Sequence, residues 1–196
     1  AVAYPPFAGG DMKRLRSKTK NKFVFPAFFG AQSKSIAAYM GMPEDVTDKL
    51  VKAFWRTYSG MASWQDELMR GYYEVGWVAS PTGRRHYYPL TRNQAINHPV
   101  QSLACDIVCD AMCRLSYLAS STGNWHLHPR LNIHDDLTFS IPDHDATLES
   151  AITTIYRTML TPPYPCVNVP LSVKASIGPN WFDMKEMGQF WSHRDL

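Results

Sequence analysis

Two adjacent carboxylates, Asp135 and Asp136, stand between two β-prone runs in the stretch LNIHDDLTFSI, residues 131–141. Side by side they repel, and burying them is costly unless a cation sits between them and their partners. Hard cations such as Mg²⁺ take oxygen ligands and bridge to substrate phosphates; the alternative is an exposed turn with solvated acids. A second group is cationic. Six Lys/Arg and no acid lie between Lys13 and Lys22, the pattern of a solvated face or of an anion site, often for phosphate. A third is sulfur-bearing: Cys105, Cys109 and Cys113 recur every four residues, on one helical face, with Cys166 distant. They lack the Cys-x-x-Cys spacing of zinc sites. Core packing as small apolar residues is the expectation, ahead of a soft-metal site with a fourth ligand. Free thiols fit a reducing, cytosolic setting.

The carboxylates need a strand, a very tight turn carrying His134, Asp135 and Asp136, and a strand leaving again. The basic block needs a helix from Lys13 that places Arg16 and Lys20 one turn apart. Pro26 interrupts it, so a kink or bulge is expected near Val24 and Phe25. Further helices are expected over 32–39, from Pro43 to Tyr58 and over 63–73. GWVASPTGRRHYYPL reads as a hairpin turning at PTG. The longest helix is expected over 97–119 after a Pro99 start, with Leu103, Ile107, Ala111 and Leu115 on its apolar stripe. A helix over 146–160 with Asp145 as N-cap follows, then a last strand over 171–177 that GPNW ends. Residues 1–12, rich in Pro and Gly, read as a linker. Helices early and antiparallel strands late predict an α+β fold.

The 196 residues, 45% hydrophobic and 13% aromatic, are those of a folded chain with a real core, in one domain or two small ones. The net charge is only +3, so the cationic block is local. There is no run of 18 apolar residues and no signal-peptide pattern. The first residue is not Met, as in a processed chain or a fragment.

Five stretches, in this order, resemble family A DNA polymerases, the bacterial polymerase I type. RSKTKNKFVFPAFFGA resembles the fingers-helix motif, Arg-x3-Lys followed by an aromatic and then Tyr-Gly. GWVASPTGRRHYYP resembles the Gly-Tyr-Val and Thr-x-x-Gly-Arg-Arg segment. INHPVQSLACDI is similar to the Asn-x-Pro-x-Gln motif that opens a long palm helix. IHDDLTF is similar to the palm His-Asp-Glu, and VPLSVKASIGPNW to the closing strand with its Gly-x-Asn-Trp end. The resemblance implies a right-hand polymerase: a helical fingers subdomain over 13–75 and the C-terminal part of an antiparallel-sheet palm over 76–196. It implies template-directed nucleotidyl transfer from a dNTP to a primer 3′-hydroxyl.

It also implies roles. Arg16 and Lys20 would hold the triphosphate, a fork and a point charge one turn apart. Phe25 would lie at the nucleotide's sugar and base, and Phe29 and Gly30 beside the templating base. Asn97 and Gln101 would check the new pair through minor-groove acceptors common to every correct pair. Arg85 stands between a backbone-phosphate contact and an ordinary surface arginine. His134 would lie near the primer end. Asp135 would ligate the catalytic metal, two Mg²⁺ ions being shared with a carboxylate outside this chain, and Asp136 replaces the family's glutamate with one methylene fewer.

Two departures stand out. Phe29 takes the place of the family tyrosine. Lys20 and Phe25 are five residues apart, one more than the family spacing; a local bulge before Pro26 would absorb the extra residue, and until then Lys22 competes with Lys20. No residue in the first 13 matches the other palm aspartate motif. The chain is therefore expected to be a fragment, or one piece of a split enzyme, whose partners are primer–template DNA, dNTP and a polypeptide with that motif and the thumb. Alternatives are a single-subunit RNA polymerase-like enzyme and a non-catalytic nucleic-acid-binding subunit.

Overall fold

The computed structural model describes residues 12–191, which fall into two compact units that part between Val100 and Gln101. The linker expected over 1–12 lies outside the described residues except for Met12, which opens the first helix. In the first unit α1 (Met12–Thr19) runs through a π-helical turn (Lys20–Val24) into α2 (Phe25–Phe28). The cause of the wide turn is Pro26. In a regular helix its ring would press on the carbonyl four residues back and it offers no N–H; widening the preceding turn relieves both, and the Phe25 N–H bonds to the Lys20 carbonyl instead.

Next come α3 (Ser33–Met40), α4 (Glu44–Thr57) and α5 (Ser59–Val75). Glu44 and Asp45 sit in the first turn of α4, where the helix dipole favours them. Ala27, Ile36 and Val51 form a core cluster roofed by Phe23, Phe54 and Trp55. The Phe28 ring lies 5.0 Å from Phe54 and 5.3 Å from Tyr58, and is tilted or edge-on to both.

β1 (Trp77–Ala79) and β2 (Arg85–Tyr87) pair antiparallel around the expected PTG turn. The division of roles expected at 75/76 differs from the division into compact units. Val78 of the hairpin packs in one cluster with Met69 and Tyr72 of α5 and with Ala95 and Ile96 beyond it, so the hairpin stays with the helices before it.

The long helix α6 spans Arg92–Thr122, with Pro99 inside it, so the expected start at Pro99 is corrected. Its first turn is closed by a capping box: the Thr91 N–H donates to Gln94 Oε1 at 2.9 Å and the Gln94 N–H to Thr91 Oγ1 at 3.3 Å. The signal T-x-x-Q was there to be read.

In the second unit Ala111, Leu115 and Ala119 of α6 are buried, and α7 (Asp145–Leu160) packs its Ala151 and Ile155 into the same cluster as Leu115 and Ala119. Residue 144, not Asp145, is the N-cap; Asp145 is the first helical residue. Arg114 binds Asp110 through Nε at 2.7 Å and the Thr158 carbonyl through Nη2 at 2.7 Å, so it satisfies the end of α7. β3 (Leu131–Ile133) pairs with β4 (Asp136–Thr138), and β5 (Ser172–Ile177) with β6 (Lys185–Trp191). β6 corrects the expectation that the strand over 171–177 is the last. GPNW is the turn into β6, and Asn180 Oδ1 accepts the backbone N–H groups of Phe182 and Asp183. Among the described residues the strands form only two-stranded pairs, and no helix is long and apolar enough to cross a membrane.

The cysteines correct the expectation of core packing. Cys105, Cys109, Cys113 and Cys166 are all exposed, and no three His, Cys, Asp or Glu side chains among the described residues are grouped to hold a metal. The apolar stripe of α6 takes the buried face, so a stripe of cysteines beside it is left outside.

Candidate active site

Arg16 on α1 and Lys20 at the head of the π turn are four residues apart at helical spacing, which puts them on one face. Past Lys20 a regular helix would continue that face through Val24 and Phe28. The π turn shifts the register by one, so the face continues through Phe25 and then Phe29. The contact made by Lys20 shows the shift, since its Nζ lies 4.9 Å from the centroid of the Phe25 ring. Phe25 and Phe29 are 6.1 Å apart, centroid to centroid. Phe28, freed from the face, enters the aromatic core. The extra residue between Lys20 and Phe25 is thus absorbed where the bulge was expected. Lys22, two residues past Lys20, is roughly half a turn away, and both lysines are exposed.

The end of this stripe is held from two sides. Gln65, buried on α5, donates from Nε2 to the Phe28 carbonyl at 2.7 Å. Nothing in the local sequence marks Gln65 for this. Gly30 has φ +87, and a Cβ there would meet Asn93 Oδ1 and Ile96 Cδ1 at 3.0 Å each. Both the backbone and the close approach to α6 require glycine. Gly30→Ala should therefore lower stability by about 1–3 kcal/mol, read as a drop in thermal midpoint by circular dichroism; an unchanged midpoint would show that neither constraint holds.

In the same unit, the Arg85 guanidinium lies over the Trp77 ring at 4.3 Å, diagonally across the hairpin. His98 Nε2 donates to the Arg84 carbonyl at 3.0 Å, which ties the end of the hairpin turn, just before β2, to α6. Asn97 is inside α6, so it is not a helix cap. Its Oδ1 is buried with no hydrogen-bond partner, a costly condition that a bound donor would relieve. Gln101, one turn further along α6, is exposed.

In the second unit His134 and Asp135 make the two-residue turn between β3 and β4, with Ile133 opposite Asp136. His134 has φ +58, the left-handed region that a non-glycine residue adopts with strain. Asn132 braces it: its Nδ2 donates to the His134 carbonyl at 3.1 Å and the Asp136 carbonyl at 3.3 Å. Sequence reasoning missed Asn132, although an amide two residues before a tight turn is a usable signal. His134, Asp135 and Asp136 are all exposed. The turn thus holds two carboxylates outward on a braced frame, an oxygen donor set that suits Mg²⁺, which keeps waters and phosphate oxygens besides one or two carboxylates.

The family model for DNA polymerase family A matches residues 10–183. The chain belongs to DNA polymerase family A. Within that family it is 28% identical over 184 residues to DNA polymerase I of Deinococcus radiodurans, covering 88% of this chain and 18% of the relative. It is 26% identical over 199 residues to DNA polymerase I of Chloroflexus aurantiacus, covering 93% and 20%. It is 27% identical over 139 residues to a DNA polymerase of Mycobacterium phage D29, covering 69% and 21%. The chain spans about a fifth of the length of these curated relatives. Among solved structures the POL domain of Pol1 from M. smegmatis, in complex with DNA primer-template and dNTP, superposes with a TM-score of 0.66 at 18% identity. The match covers 79% of this chain and 28% of that one. That likeness establishes the α+β polymerase fold.

Proposed function

We propose that this family A chain supplies the fingers (residues 13–75) and the C-terminal part of the palm (76–196) of a template-directed DNA polymerase. It would work on primer–template DNA with dNTP, joining the nucleotide to a primer 3′-hydroxyl. The observation that carries the proposal is the stripe Arg16, Lys20, Phe25, Phe29, which the π turn keeps continuous despite the extra residue. Its cationic end suits a triphosphate: Arg16 offers a fork and Lys20 a point charge to neutralise pyrophosphate as it leaves. Its aromatic end suits the nucleotide's sugar and base at Phe25 and the templating base at Phe29 and Gly30. Gln101, exposed one turn along α6, can donate its amide N–H to the minor-groove acceptors of the new pair, and Asn97 is assigned beside it, where its orphaned Oδ1 would take a donor. Arg85 is assigned to backbone phosphate and His134 to the primer end.

Asp135 would hold Mg²⁺, with Asp136 beside it. When bound, two Mg²⁺ ions supply acidification of the primer hydroxyl and neutralisation of the triphosphate. The contribution of the chain is to hold both carboxylates on a turn that Asn132 braces, and to keep the stripe straight. In this reading a further carboxylate comes from a palm motif that residues 1–13 do not match, in the same polypeptide or a second one. The relatives are named as DNA polymerases, which favours the DNA enzyme over an RNA polymerase.

Purified residues 1–196 should accordingly show no primer extension with dNTP and Mg²⁺, and addition of a polypeptide with the missing palm motif should restore it. Gel-resolved extension of a labelled primer decides it. Robust extension by these residues alone would refute the shared metal site, and no extension in any mixture would refute the enzyme.

A further inference from the structure

Cys105 and Cys109 stand one turn apart on the outer face of α6. Both are exposed, and their sulfurs lie 3.9 Å from one another. Cys113 follows one turn later, exposed as well. Thiols held on a surface are open to oxidation and to soft metals. Packing supplies no reason for this stripe, because the core takes Leu115 and Ala119 from the other side of the helix. The pair also has a neighbour from another element. Tyr164, on the connector after α7, donates its hydroxyl to the Asp106 carbonyl at 3.4 Å. Burial pushes its phenol up, and Asp110, Asp106 and Cys109 add to this against Arg114. Tyr164 therefore lies close to Cys109 and lines one side of the pair.

The spacing of the sulfurs decides what chemistry they suit. A disulfide needs sulfurs ~2.05 Å apart on β-carbons ~3.5–4.5 Å apart. Residues four apart on a helix hold their β-carbons ~5–6 Å apart, so a direct S–S bond would have to pull the turn of α6 together. A single atom between the sulfurs needs no such shift. Two metal–sulfur bonds of the ~2.3 Å length found with zinc span sulfur separations up to ~4.6 Å. The observed 3.9 Å falls inside that span, and side-chain rotation that opens it by ~0.7 Å gives a linear bridge.

We propose that Cys105 and Cys109 bind one soft d¹⁰ ion of the Cu(I) class, bridged between their two thiolates. The site goes beyond the polymerase reading and uses none of its residues. Thiolate is the ligand type that selects Cu(I), and Cu(I) is satisfied by two of them. Structural zinc takes four ligands, and no three His, Cys, Asp or Glu side chains among the described residues are grouped to hold a metal. The two thiol protons leave to solvent as the ion enters, and no electron is transferred. The bridge clamps one turn of α6, so occupancy stabilises the folded chain.

The test titrates the purified chain, without oxygen and with ascorbate, against the coloured Cu(I)–bicinchoninate complex, and native mass spectrometry counts the ions. One Cu(I) per chain is expected. Cys105→Ser and Cys109→Ser are surface changes that leave the core alone. Each should weaken binding by at least about 10- to 100-fold, the loss that even an outer-shell change costs a metal site. Cys113→Ser and Cys166→Ser should bind as the wild type does. The thermal midpoint by circular dichroism should rise with Cu(I) in the wild type and stay put in Cys105→Ser.

Equal binding by the wild type and by Cys105→Ser/Cys109→Ser would overturn the site. A loss in Cys113→Ser or Cys166→Ser as large as in Cys105→Ser would also overturn it, by making the ion's seat a wider thiolate cluster. Zn²⁺ held against a pyridylazo indicator by the wild type, and released by Cys105→Ser, would replace the two-thiolate ion with a four-ligand one. None of these readouts involves primer extension, so failure of the polymerase reading would leave each of them standing.

Discussion

Asp135→Ala, in the enzyme assembled with the missing palm motif, should lower primer extension by about three orders of magnitude. A metal-borne charge stabilisation worth several kcal/mol corresponds to that loss at ~1.36 kcal/mol per tenfold. Binding of primer–template should change little, because the metal acts mainly in the transition state. The structure isolates the effect. Asp135 is exposed on a two-residue turn whose shape depends on His134 and on the Asn132 side chain. Removing its carboxylate therefore breaks no core contact and no brace. Asp135→Asn keeps the volume and loses the charge, so it should fall as far as alanine. Asp136→Ala should cost less, since Asp136 sits in β4 opposite Ile133 rather than in the turn itself. Single-turnover extension, beside anisotropy with the same DNA, measures both quantities. An Asp135→Ala enzyme within a few-fold of wild type would exclude a ligand role.

Lys20→Ala should raise the KM for dNTP or lower kcat by roughly ten- to hundredfold, the usual cost of ~1.5–3 kcal/mol for losing a charge-assisted contact. Lys22→Ala should do little beyond a salt-sensitive loss of DNA affinity. The asymmetry follows from the π turn. It keeps Arg16, Lys20 and Phe25 on one stripe, with Lys20 Nζ 4.9 Å from the Phe25 ring centroid, and turns Lys22 roughly half a turn aside. Steady-state dNTP titrations of the two variants compare them directly. A large defect in Lys22→Ala beside a silent Lys20→Ala would mean that the triphosphate lies on the other face of this helix.

Much of the frame was legible because it is written in short-range chemistry. Pro26 forces an irregular turn before it whatever surrounds it. The hairpins at PTG and at His134–Asp135 follow from alternating runs around turn residues. The ordered motifs carry the family, which the match over residues 10–183 establishes. The start of α6 is equally local, in the Thr91–Gln94 capping box, and Pro99 lies inside the helix rather than at its first turn.

Other features depend on partners distant in the chain. Periodicity places Cys105, Cys109 and Cys113 on one face of a helix, but which face is buried depends on where α7 packs, and the packing buries Leu115 and Ala119 instead. No local rule announces that Gln65 reaches the Phe28 carbonyl 37 residues away, or that Asn93 and Ile96 leave no room for a Cβ at Gly30. β6 needed β5 as its template, since a strand of Lys, Glu and Gln beside Met and Gly has no burial pattern of its own. The sequence by itself determined the kinds of element, the turn chemistry and the family, because each rests on residues within a few positions of one another. Only the tertiary structure decided which face of each helix is covered and which side chains brace the stripe and the turn. Those outcomes rest on contacts between elements, whose energies the local pattern does not contain.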